Sequence, residues 1–237
     1  MALVAAGHFE SRARAAQAIA AGLVTADGVP VAKPSSRIAA GAVLSATPPH
    51  PYVSRGGVKL AAGLDLFGID PAGLRCLDVG ASTGGFTDVL LGRGAAHVDA
   101  VDVGRDQLHP SLRRHPRVTS REATDIRALV PGDLGAPVDL VVCDASFVSL
   151  RLVLPPALAL AGPAARLVAL VKPQFEAGRA ALKKGIVRDP AVRDAACRDV
   201  AAVVAGAGWD VIGLAPSPIA GGDGNVEFLL GARRRGG

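Results

Sequence analysis

Short apolar runs recur along most of this chain, each separated from the next by a helix-forming stretch. No other feature restricts the fold as much. The runs are residues 74–79, 98–101, 138–143 and 166–171, with later ones at 209–214 and 226–230; helices are expected over 84–91 and 189–205. Strands that are apolar on both faces belong in a parallel sheet covered by helices on both sides. The expected class is therefore α/β, a Rossmann-like sheet with helices on both faces. Half of the 237 residues are hydrophobic, which supplies a sizeable core and argues against a disordered chain.

The first 47 residues read differently. Ser11 suits an N-cap, a helix is expected over 12–21, and Gly22 ends it. Residues 23–25 and 29–31 flank Asp27-Gly28, a hairpin signal, and another short strand is expected over 42–46. A helix on so small a sheet is the size of a binding module, a small α+β domain spanning 1–47. Pro48, Pro49 and Pro51 stiffen a linker over 48–55, and 56–237 forms the main domain. The net charge of +5 points mildly to an anionic partner. Cys76, Cys143 and Cys197 are odd in number and spaced for neither disulfides nor zinc, so reduced thiols and a cytoplasmic protein without metal are expected. The start lacks signal-peptide features. The apolar run 152–161 is too short to span a membrane and contains Pro155 and Pro156. Arg233, Arg234 and Arg235 are expected to be a frayed, solvated tail.

The strongest local signal runs from Leu77 to Thr87, Leu-Asp-Val-Gly-Ala-Ser-Thr-Gly-Gly-Phe-Thr, and joins a strand to a helix. Ligands bind at such turns in open α/β sheets. The spacing is neither Gly-x-Gly-x-x-Gly nor a phosphate loop. Asp78, Gly80, Ser82, Thr83, Gly84, Gly85 and Phe86 are the candidate ligand residues. An acid on the strand suits a cationic or amine-bearing ligand. Asp102, ending the next strand, is placed to accept ribose hydroxyls, and Asp125 to meet an adenine amine. Together these fit S-adenosylmethionine.

Charges embedded in apolar strands need a partner or a task. Asp144 follows the run 138–143, Lys172 follows 166–171, Glu227 is expected inside the strand 226–230, and Lys59 lies on a helix starting near Arg55-Gly56-Gly57. Asp144 and Lys172 project from the same sheet edge as the glycine loop.

Six segments now converge on one family. They are Tyr52-Val-Ser-Arg-Gly-Gly-Val-Lys-Leu60, the loop from Asp78 to Phe86, Asp144-Ala-Ser-Phe-Val-Ser149, Lys172-Pro-Gln-Phe-Glu176, Lys184-Gly-Ile-Val-Arg-Asp189 and Gly224-Asn-Val-Glu-Phe228. The chain resembles the TlyA (hemolysin A) family over nearly its whole length. That family's catalytic domain is similar to the FtsJ-type ribosomal RNA 2′-O-methyltransferases. The resemblance implies a catalytic tetrad at Lys59, Asp144, Lys172 and Glu227, with Asp144 also at the cofactor. It implies a small RNA-binding fold at the N-terminus, with the helix from Ser11 to Gly22 facing RNA. The family's fold usually opens with Arg-Leu-Asp before the equivalent of Ala2-Leu3-Val4, so either the start is assigned late, the chain is trimmed or the small domain is weakened.

The expected partner is ribosomal RNA or a ribosomal subunit. Arg12, Arg14, Lys33, Arg37 and Arg55, with Lys183 and Lys184, are the candidate phosphate contacts. Lys172 is the expected base for a ribose hydroxyl, with Glu227 orienting Lys59 or binding the ribose. An RNA-binding assembly protein with a vestigial methyltransferase fold is one rival, opposed by the presence of all four tetrad residues. A hemolysin-like membrane-active protein is another, which no amphipathic or spanning segment supports. The glycine spacing disfavours a nicotinamide enzyme. The segment Asp144-Ala-Ser-Phe147 lacks the prolines that many nitrogen methyltransferases carry there.

Overall fold

A computed structural model describes residues 2–9, 11–221 and 224–236, with Arg179 described by its backbone alone. The chain divides into two compact units, Met1–Pro51 and Tyr52–Gly237.

The first unit has helices α1 (Ala2–Ala5) and α2 (Arg12–Ala20) and strands β1 (Val24–Ala26), β2 (Val29–Pro30) and β3 (Leu44–Ala46), paired antiparallel in the order β2-β1-β3. The Ser11 hydroxyl accepts from the Arg14 N–H at 3.2 Å and caps α2. Asp27 and Gly28 both have positive φ (50° and 78°), as a two-residue type I′ hairpin turn requires. Leu3, Phe9, Ala15, Ala18, Ile19 and Val24 form the core.

The second unit runs α3 (Gly56–Phe67), β4 (Arg75–Val79), α4 (Gly85–Gly92), β5 (His97–Val101), α5 (Pro110–Arg113), β6 (Val118–Arg121), β7 (Val138–Cys143), α6 (Leu150–Ala159), β8 (Ala161–Val171), α7 (Pro173–Glu176), α8 (Pro190–Gly206), β9 (Trp209–Pro216) and β10 (Phe228–Arg234). The sheet order is β6-β5-β4-β7-β8-β10-β9. Alternate residues of β7 show why its run is continuous. Leu140 and Val142 enter one core with Leu60, Leu64 and Val89, while Val141 and Cys143 enter the other with Leu154 and Val200. Helices α3 and α4 cover the first face, and α6 and α8 the second.

Four sequence expectations need correction. The sheet is mixed: β4 to β8 are parallel, but β10 is antiparallel to both β8 and β9. After α8 the chain reaches the edge as β9 and then turns back, inserting β10 between β9 and β8. Strand β10 begins at Phe228 and continues to Arg234, so Glu227 precedes it. Arg233 and Arg234 belong to it rather than to a frayed tail; the Arg234 guanidinium donates to the Ala161 carbonyl, and Arg235 pairs with Asp210 at 2.8 Å. Strand β6 and helix α6 were not anticipated. In α6 the breakers Pro155 and Pro156 lie toward the outside, while Leu150, Val153, Leu154, Ala157 and Leu158 face the core. Among the described residues no helix is long and apolar enough to cross a membrane.

Two contacts fix the glycine loop after β4. Gly80 has φ +80°, and a Cβ there would meet the Ala145 backbone at 2.9 Å, so only glycine lets the loop after β4 touch the loop after β7. Beneath the loop, Asp78 is fully buried and accepts a 2.7 Å hydrogen bond from the Thr87 hydroxyl of α4. Burial, with nearby Asp144 and Asp102 adding a smaller contribution, pushes its carboxyl up to about 7. The folded state thus holds a proton that the unfolded chain releases near 3.8. Stability from this group is full below the unfolded value and is lost as pH rises toward the folded one. Asp78→Asn keeps an acceptor for Thr87 and has no such slope. Urea unfolding at about pH 5 and about pH 8 should show the variant gaining on the wild type by a few kcal/mol between the two. A constant difference would contradict the buried, protonated acid.

Candidate active site

The loops at the carboxyl ends of β4, β5, β6 and β7 line an open cavity of about 620 Å³, within the usual range for a small-molecule or cofactor site. The Gly80 and Ala81 N–H groups donate to the Val101 carbonyl at 2.9 and 3.2 Å. Asp102 accepts from the Ser82 N–H at 2.8 Å and from the Gly104 N–H at 2.7 Å. One carboxylate thus ties together two loops at adjacent strand ends.

Five of the residues expected at the cofactor line this cavity: Gly80, Ser82, Asp102, Asp125 and Asp144. The other five lie elsewhere. Asp78 is sealed under the loop by Thr87, so it packs rather than faces a ligand. Thr83 turns its carbonyl to the His109 N–H at 3.1 Å. Gly84 leaves room for Leu108 and Leu112, and Gly85 for the Ser54 hydroxyl and the Gly57 backbone. Phe86 is core. Of the motif's seven candidate residues, five therefore serve close packing, and Gly80 and Ser82 shape the cavity.

Asp125 accepts from Arg127 through both oxygens, at 2.6 to 3.0 Å from its guanidinium and 2.9 Å from its N–H. Those bonds hold its carboxyl below the ordinary range. Arg127, which also lines the cavity, was not singled out from the sequence; it lies only two residues from Asp125.

The four charged residues form two ion pairs. Lys172 Nζ lies 2.7 Å from Asp144 Oδ1 and donates to the Asp144 carbonyl at 3.1 Å and the Ser146 hydroxyl at 2.6 Å. Lys59 Nζ lies 2.5 Å from Glu227 Oε2. Lys59, Lys172 and Glu227 are buried; Asp144 is half-buried on the cavity wall. Two geometric links bring the pairs to one sheet edge. Phe228 pairs with Val171 across antiparallel strands, so the next position sets Glu227 opposite Lys172. On α3, one turn before Lys59, a Cβ on Gly56 would sit 3.4 Å from Asp144 Oδ2.

Sequence reasoning missed two further groups. Ser146 is an acceptor for Lys172. Buried Glu176 takes the Ser149 hydroxyl at 2.5 Å and the Leu150 N–H at 2.7 Å. Glu176 thereby caps α6 and ties the loop carrying Asp144 to the segment carrying Lys172. The signal was an acid four residues after Lys172, inside a run already noted.

The basic residues are dispersed in structural role. Arg12, Lys33 and Arg37 are exposed on the first unit, and Arg14 is half-buried. Arg55 donates to the Ala220 carbonyl at 2.9 Å and so braces the segment leading to Glu227.

Comparison with known proteins agrees with this architecture. Residues 52–234 match the FtsJ-like methyltransferase family and residues 1–44 the S4 domain. A Mycobacterium tuberculosis protein named 16S/23S rRNA (cytidine-2′-O)-methyltransferase TlyA is 47% identical over 234 residues, covering 98% of this chain and 87% of that one. A solved structure from Streptococcus thermophilus, described as a hemolysin, superposes with a TM-score of 0.80 at 40% identity, over 98% of this chain and 86% of that one. An S-adenosylmethionine-dependent methyltransferase from Mesorhizobium loti shares the fold alone, with a TM-score of 0.53 at 14% identity over 75% of this chain and 98% of that one. The chain belongs to the TlyA family, an FtsJ-like methyltransferase domain preceded by an S4 domain.

Proposed function

We propose that this protein moves a methyl group from S-adenosylmethionine to a ribose 2′-hydroxyl of ribosomal RNA in the cytoplasm. The observation that carries the reading is the pair of lysine–carboxylate contacts beside an acid-lined cavity. The name of the mycobacterial relative supports the substrate class.

The cavity residues fit the cofactor. Asp102 and Asp125 supply carboxylates for ribose hydroxyls and an adenine amine. Each already takes protein donors, but a carboxylate oxygen has more than one acceptor direction. Gly80 and Ser82 shape the wall, and Asp144 offers negative charge to a cationic group. When bound, S-adenosylmethionine supplies a methyl activated by its sulfonium. The protein's own share is to align the attacking oxygen and to remove its proton.

The second task falls to Lys172 in this reading. Three oxygens fix its amine, from Asp144 and Ser146, and both residues line the cavity. As the base, the amine would take the 2′-hydroxyl proton, and Asp144 would stabilise the ammonium that results. Glu227 holds Lys59, buried, at the same edge. Arg12, Arg14, Lys33 and Arg37 on the S4 unit contact phosphates and position the RNA without reading its sequence.

Lys172→Arg separates charge from proton transfer, because a guanidinium keeps the pairing with Asp144 and cannot serve as a base. Methyl transfer to ribosomal subunits should fall by at least about a hundredfold, while S-adenosylmethionine affinity in calorimetry changes little. Near-wild-type turnover would remove Lys172 from the base role. A second variant tests the other pair. Lys59→Met leaves Glu227 buried without its cation and should cost about 3–5 kcal/mol in denaturant unfolding. Unchanged stability would show that this pair is not held as described.

A further inference from the structure

Between α7 and α8 the chain makes a tight hairpin. The Lys183 N–H donates to the Ile186 carbonyl at 3.0 Å, and the Ile186 N–H returns a bond to Lys183 at 3.2 Å. The two tip residues, Lys184 and Gly185, have φ of +53° and +78°. Positive φ at both central positions marks a type I′ turn, which favours Asn-Gly. Lysine is a poor choice for the first of these positions, since only short polar side chains and glycine adopt that region at little cost. Lys183, Lys184 and Arg188 are exposed.

The hairpin is anchored to the rest of the fold by two residues. Asn225 is 2% exposed. Its Oδ1 accepts from the Val187 N–H at 3.1 Å, and its Nδ2 donates to the Gly185 carbonyl at 3.0 Å. Its side-chain amide thus takes the place of a neighbouring strand. From the other side, Arg193 of α8 donates to the Val187 and Arg188 carbonyls at 2.9 and 3.1 Å. Asn225 also stands two residues before Glu227. Its own carbonyl accepts from the Gly221 N–H at 2.9 Å, and a Cβ on Gly221 would come within 2.5 Å of Glu227 Oε1. One buried amide therefore joins the basic hairpin to the segment that places Glu227.

We propose that the hairpin at Lys183-Lys184 is an RNA phosphate-binding element of the methyltransferase domain, and that Asn225 is the positioning residue that holds it in register with the catalytic edge. At that tip a lysine gives up the backbone ease of Asn, Asp or Gly and brings a positive charge in exchange. This rests on the reading of RNA as substrate.

The direct test is Lys184→Asn, which removes the cation while giving the turn a residue it prefers, so unfolding cannot account for a loss. Binding of ribosomal RNA should weaken, and the slope of log affinity against log salt should fall by about one. Lys183→Gln with Lys184→Asn should lower it by about two. Asn225→Ala should lower it similarly, and combining it with the lysine changes should add little, since the same contacts are lost. S-adenosylmethionine affinity should stay at the wild-type value for Lys184→Asn. Wild-type affinity and salt slope in Lys184→Asn would overturn the proposal, as would independent, additive effects of Asn225→Ala and the lysine changes. If the wild-type chain binds ribosomal RNA but transfers no methyl to it, the proposed reaction fails while the hairpin's role in binding is still decided by the slopes.

Discussion

A charged side chain at the end of a fully buried strand has to be paired, and most of the site's construction follows from meeting that requirement for Lys172. The amine emerges from β8, whose last five residues have no solvent contact. It is accepted by Asp144 and Ser146 in the loop after β7. That loop must come close to the glycine turn after β4, which Gly80 permits by lacking a Cβ. Glu176 ties the far end of the same loop back to the segment after Lys172. The ion pair is therefore held by a closed circuit of backbone and side chains, the preorganisation that methyl transfer to a weak nucleophile needs.

The same circuit explains why so much could be read from the residues. Strands buried on both faces must be apolar throughout, so β4, β5, β7 and β8 stand out in the sequence. A lysine or aspartate directly after such a strand is conspicuous, and Lys172 and Asp144 were legible for that reason. Glu227 was legible as a charged residue, though placed inside a strand when it precedes one. Residues that look alike in the sequence can still serve opposite ends. Asp78 and Asp102 both sit at strand ends, yet one is sealed beneath the loop and the other faces the cavity. Depth along the strand separates them: Asp78 lies within β4, opposite Ala100, whereas Asp102 lies two residues further on, past the end of β5.

What stayed hidden has physical causes as well. Strand β6, Val-Thr-Ser-Arg, lies at the sheet edge and is half-buried throughout, so it carries no continuous apolar signal. Helix α6 hides behind two prolines tolerated on its outer side. The antiparallel insertion of β10 depends on how a loop returns, not on the composition of the strand. Ser146 and Asn225 are small polar residues whose roles arise from burial and from partners far away in sequence, Lys172 and Val187 respectively. Both stand in segments that carry the family resemblance, but nothing local in those segments names the partner each one holds.

The central claim is that the two lysine–carboxylate pairs serve transfer to a ribose oxygen. The most direct measurement supplies purified protein with methyl-labelled S-adenosylmethionine and ribosomal subunits, then digests the RNA to nucleosides and locates the label. The account predicts label on the 2′-oxygen of a ribose. Label on a base nitrogen or carbon, or none in RNA at all, would contradict it.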